Sequence, residues 1–135
     1  MLHSFTDVVA FGAERSSLGD LASTALVGAG LQISKDPFPE QNIFTRSDHY
    51  RFVEQGVPAI YLFPGFSNGG EQAINDFLDD HYHQPSDDLS LPIRFDDAGR
   101  FAEVNYKIAM LIANAPKRPV WREGDFLGDL FAGDR

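Results

Sequence analysis

Phe5-Thr6-Asp7-Val8-Val9-Ala10-Phe11, closed by Gly12, decides the fold. β-branched and aromatic side chains fill this run without the strict alternation of a half-solvated strand, so it reads as a strand buried on much of both faces. A strand of that kind belongs in a sheet covered by helices. It begins almost at the first residue, whereas domains usually keep some lead-in at a terminus.

Outward from it, Ser17 stands where a helix is capped, with Asp20 in the capping-box position. Leu18, Leu21, Ala22, Ala25, Leu26 and Ala29 fall on one face, and Gly28 or Gly30 supplies the stop. From Gln32 to Arg46 the periodicity breaks, and Pro37 and Pro39 predict an extended, turn-bearing loop. Ser47 is an N-cap candidate for a short helix through Gln55, ended by Gly56; Val57 to Phe63 follows as a second apolar strand. A polar excursion from Pro64 to Leu91 reads as a long functional loop. Phe101, Val104, Ile108, Leu111, Ile112 and Ala115 then predict a strong amphipathic helix that stops at Pro116. Residues 1–115 form the domain in this reading and 116–135 a tail, in which Trp121, Phe126, Leu127, Leu130 and Phe131 either dock or seek a partner.

The order of elements is α/β, with a sheet at least partly parallel. Two strands make a poor sheet, and an edge built from core-like strands invites pairing with another chain. The pattern therefore predicts part of a larger domain, with self-association through an exposed strand edge as a second possibility.

Composition narrows the partners. A net charge of −9 leaves no concentrated basic face for nucleic acid or an anionic membrane. No apolar run approaches the roughly 18 residues of a membrane span. Met1-Leu2-His3-Ser4 lacks the basic start and apolar block of a signal peptide. With no cysteine in the chain, any metal must be held by His, Asp or Glu.

Chemistry concentrates in Tyr82-His83-Gln84-Pro85-Ser86-Asp87. His81 and His83 would share a face of an extended segment and could chelate zinc, or they are ordinary loop histidines. Tyr82 is either a rim tyrosine or a phenol that donates to an oxyanion beside a metal ligand. Asp87 either caps the loop or turns back to fix the tautomer of His83. Ser47-Asp48-His49 reads by default as a helix N-terminus with favourable charge. The acidic residues between 71 and 88 lack the pattern of a calcium loop. Gly65-Phe66-Ser67-Asn68-Gly69 follows a strand as a nucleophile elbow does, but little helical periodicity follows it.

Three blocks in order carry a resemblance: Phe11-Gly12-Ala13-Glu14-Arg15-Ser16-Ser17-Leu18; Ser47-Asp48-His49-Tyr50-Arg51-Phe52 with Gly56-Val57-Pro58-Ala59; and Tyr82 to Asp87. Together they resemble the co-catalytic zinc aminopeptidases, the family of bacterial leucyl aminopeptidase and aminopeptidase Y, with glutamate carboxypeptidase II and the glutaminyl cyclases as relatives. The resemblance implies a three-layer αβα sandwich with a mixed sheet, two zinc ions, and a glutamate base acting on peptide substrates. It implies His83 as the last zinc ligand and Tyr82 as the aromatic neighbour that steadies the tetrahedral intermediate. Asp48, His49 and Asp87 take supporting roles. The family's first His, bridging Asp, paired glutamates and further acidic ligand all precede the matching region. The expectation is therefore the C-terminal part of a peptidase, inactive alone and unable to hold zinc stably. The glutaminyl cyclase branch matches less well, because Ser47 stands where that branch tends to carry a second aspartate. Many relatives are secreted or periplasmic, which is the localisation the resemblance suggests.

Overall fold

The computed structural model describes residues 1–133; Asp134 and Arg135, the end of the 116–135 tail, lie outside the described residues. Strand β1 (Asp7–Phe11) is buried at all five positions. It is the middle of a three-stranded sheet of order β2-β1-β3. Strand β2 (Gln32–Ser34) lies parallel to it, with Val8 opposite Ile33. Strand β3 (Tyr61–Pro64) lies antiparallel, with Phe11 opposite Tyr61 and Val8 opposite Pro64. The sheet is mixed, and β2 is the strand that the loop reading of residues 32–46 passed over. Three residues with Gln32 and Ile33 exposed leave no pattern longer than a turn.

Because successive side chains of a strand point to opposite faces, β1 feeds two cores. Val8 packs with Phe5, Ala22, Ala25, Leu26, Leu31, Val104 and Ile108. These come largely from helix α1 (Leu18–Gly28) and helix α5 (Phe95–Ala113). Val9 and Phe11 pack on the other side with Phe44, Val53 and Leu127. Those residues come from α2 (Ile43–Arg46), α3 (Tyr50–Val53) and α6 (Phe126–Phe131). Helix, sheet and helix form three layers, as the αβα reading expected.

Local chemistry corrects several details. Ser17 does not cap α1 through its side chain; its Oγ accepts from Val120 N–H, and Asp20 pairs with Arg122 instead of closing a capping box. Ser47 likewise donates to the Ile43 carbonyl rather than capping a helix. The excursion from Pro64 to Leu91 is not one loop: helix α4 (Gly70–Asp80) occupies its middle. Its apolar stripe is thin, with only Gly70 and Ile74 buried, so acidic residues masked the period. The first residues are tied down: Arg94 N–H donates to Met1 O, Arg100 Nη1 to Phe5 O, and Ser4 to the buried Asp97. A hydrogen bond from Arg94 holds the Asp97 carboxyl below its usual value.

Gly12 is where β1 leaves the sheet, with φ of 82°, and a Cβ there would clash with the Cε2 edge of the Phe44 ring. Gly12→Ala combines a left-handed backbone penalty with overpacking. It should lower stability by about 2–4 kcal/mol, measured as a lower urea midpoint at an unchanged m-value.

Candidate active site

Helix α4 delivers the Tyr82-His83 turn. The N–H groups of His81 and Tyr82 both donate to the Phe77 carbonyl, at 2.9 and 2.8 Å, which ends the helix. Tyr82 packs on the Phe77 ring at 6.2 Å between centroids. The backbone then turns left-handed at His83, with φ of 60°, a conformation that costs a residue bearing a Cβ on the order of 1–2 kcal/mol. The His83 ring stacks on Tyr82 with centroids 3.8 Å apart, and both side chains are exposed.

This turn does not hold His81 and His83 as an extended pair. His81 Nδ1 lies 3.0 Å from Ser86 Oγ, whose hydroxyl donates to Asp80 O. Among the described residues no hydrogen bond joins Asp87 to His83; the Asp87 N–H donates to Gln84 O.

The second block meets the sheet differently. Asp48 is exposed. The His49 ring is wedged between Phe44, at 4.7 Å between centroids, and Tyr61, stacked at 5.6 Å and 16°. Its Nε2 is buried without a hydrogen-bond partner. Burial lowers the His49 pKa below its ordinary value, against the Phe44 carbonyl and the Asp48 charge, which both raise it. Tyr61 also stacks on Phe11 at 5.7 Å. Its phenol is pushed up, first by burial and then by the nearby Tyr82. An aromatic series therefore runs from Phe44 through His49 and Tyr61 towards Tyr82 and His83. No motif marks Tyr61, although Tyr61 and Phe63, two apart on β3, share the face of Phe11 by the strand period.

Beyond the carboxyl ends of the parallel strands β1 and β2 lies an open cleft of about 580 Å³, lined by Phe11, Arg15, Ile33, Asp36, Ile43 and Phe44 among others. Open α/β sheets place ligands outside the carboxyl ends of their strands. Tyr82 and His83 are not in its lining.

The sequence model for Peptidase family M28 matches residues 3–109, a span that takes in β1, the 47–56 block and the Tyr82-His83 turn. The chain belongs to peptidase family M28. No curated protein and no solved structure matches it. M28 peptidases are typically zinc-dependent hydrolases. Catalytic zinc takes about three protein ligands, and among the described residues no group of three His, Asp or Glu side chains is placed to hold a metal. The described donors of this M28 chain do not by themselves fit the ion. Nor does the Gly65 to Gly69 segment replace it. Helix α4 does follow that segment, but Ser67 lacks the positive φ seen at Asn68 and makes no side-chain hydrogen bond to a His or Asp among the described residues. Among the described residues no helix is long and apolar enough to cross a membrane.

The His49 shift has a testable sign. With the folded pKa below the ordinary value of about 6.5, the unfolded chain takes up the proton first on acidification. The contribution of neutral His49 is full above about pH 6.5 and is lost as pH falls from there towards the folded pKa. Thermal melts should show Tm falling between pH 7.5 and 5.5, and His49→Phe, which keeps the stack without the proton, should flatten part of that slope.

Proposed function

We propose that this M28 chain serves a zinc-dependent aminopeptidase, supplying His83 as one metal ligand and Tyr82 as a hydrogen-bond donor to the scissile carbonyl oxygen. The family match that spans the Tyr82-His83 turn carries this reading. In the reaction water adds to the carbonyl carbon of the first peptide bond, negative charge collects on the carbonyl oxygen, and the free amine leaves with a proton. A phenol donating at that oxygen acts where the charge develops, which is where such a donor lowers the barrier most. Asp48, His49 and Asp87 take supporting roles in this reading.

The donor count sets the limit on this chain. One imidazole falls short of the three ligands of a catalytic zinc, so in this reading the described residues do not supply the remaining ligands or the general base. The chain alone is inactive in this reading. Both outer strands of the sheet, β2 and β3, have one unpaired side among the described residues. That geometry favours association of two chains as the second reading.

Two measurements on the purified chain test the proposal. Zinc should dialyse away to well under one ion per chain, and aminoacyl chromogenic substrates should not turn over; turnover at ordinary enzymatic rates sinks the claim of inactivity. During titration with zinc chloride, the His83 imidazole resonances should shift before those of His3, His49 and His81. A first response at any other histidine removes His83 as the ligand.

A further inference from the structure

Residues 117–133 lie beyond the span matched to the peptidase family, yet they bind three separate parts of the fold. Val120 exchanges a pair of hydrogen bonds with Ser17: the Val120 N–H donates to Ser17 Oγ at 3.0 Å and the Ser17 N–H donates to Val120 O at 2.9 Å. Arg122 N–H donates to Arg15 O at 2.8 Å, and Trp121 bridges Ser16 in antiparallel fashion. This stretch is thereby laid against residues 15–17.

Asp125 then fixes the next turn. Its Oδ1 accepts from the N–H groups of Leu127 and Gly128, each at 3.0 Å, which caps α6. Its Oδ2 accepts from Arg15 Nη1 at 3.1 Å. Helix α6 so placed inserts Leu127, 5% exposed, among Phe11, Phe44 and Val53. Phe126 and Leu130 stay on the outer side.

The third attachment falls on both ends of α3. Trp121 Nε1–H donates to Gly56 O at 3.0 Å, at the exit of the helix. Gly56 has φ of 76°, and a Cβ there would meet Phe131 O at 2.9 Å. At the entrance, Phe131 packs edge-on against Tyr50 at 6.3 Å between centroids. Gly128 admits the Trp121 side chain, because a Cβ at that position would stand 2.7 Å from Trp121 Cβ.

A helix of four residues has too few internal hydrogen bonds to hold itself. Val53 is buried in the core and Tyr50 packs edge-on against Phe44, while Arg51 and Phe52 are exposed, so contacts at its two ends do much to place α3. We infer that residues 120–131 form a positioning clamp, in which Trp121 and Phe131 grip the two ends of α3 and so hold the Asp48-His49 segment against Phe44 and Tyr61. Trp121 and Phe131 are positioning residues that act through Gly56 and Tyr50. The inference stands apart from zinc and from turnover, because it concerns where a segment of the folded chain is held.

Amide hydrogen exchange read by NMR on the full 135-residue chain tests it. Trp121→Phe keeps an aromatic ring and removes the N–H to Gly56. Protection at Glu54, Gly56 and Val57, whose amides close this turn, should fall about tenfold, the worth of one hydrogen bond. Protection at Leu26, Val104 and Ile108 in the opposite core should stay unchanged. Phe131→Ala should loosen Phe52 and Val53 and move the His49 ring resonances, again without effect on α1 and α5. A uniform loss across both cores would reduce the segment to general stabilisation, and unchanged exchange at residues 50–57 in both variants would remove the clamp.

Discussion

Everything in this chain hangs on β1 being dry on both faces. Five consecutive strand residues are buried, and each Val or Phe so placed contributes roughly 1.5–3 kcal/mol of apolar burial. The cost is geometric: one side of the sheet must be closed by α1 and α5, and the other by segments too short to stand alone. Helices α2, α3 and α6 have four, four and six residues. They exist because Val9 and Phe11 present a surface on which Phe44, Val53 and Leu127 can gather. Secondary structure on that side is a product of packing and not its cause.

The same constraint shapes the chemistry. His49 lies in the short-helix layer, so its ring is half-buried and its Nε2, shielded from water, goes without a partner. His83 lies past the end of α4 and remains in water. Two imidazoles of one chain are thus given different surroundings: burial lowers the pKa of His49, and the His83 ring stands exposed. Tyr61 joins the two environments, stacking on His49 at one side and sensing Tyr82 at the other.

Legibility followed the range of the interactions. β1 could be read because its whole signal lies within seven residues, and α5 because nineteen residues repeat the period several times. The Tyr82-His83 turn lies within the span of the family match. β2 was not, since it is a strand only by virtue of its register with Asp7, Val8 and Val9. Helix α4 was hidden because it buries so little that its acidic face outweighs Ile74 and Phe77 in any reading of period. The stack of His49 on Tyr61 depends on how β3 registers against β1, which no spacing along the chain encodes. Trp121 and Gly56 lie 65 positions apart, and nothing near either residue announces the other.

The chain contains a single tryptophan, and that indole sits half-buried where the 120–131 segment meets Gly56. The intrinsic emission of the protein is consequently a local optical signal and not an average over the fold. An unfolding curve followed by tryptophan fluorescence records the release of one segment, whereas far-ultraviolet dichroism is dominated by α1, α4 and α5. Whether the two curves coincide decides if the layers of this sandwich melt as one cooperative unit.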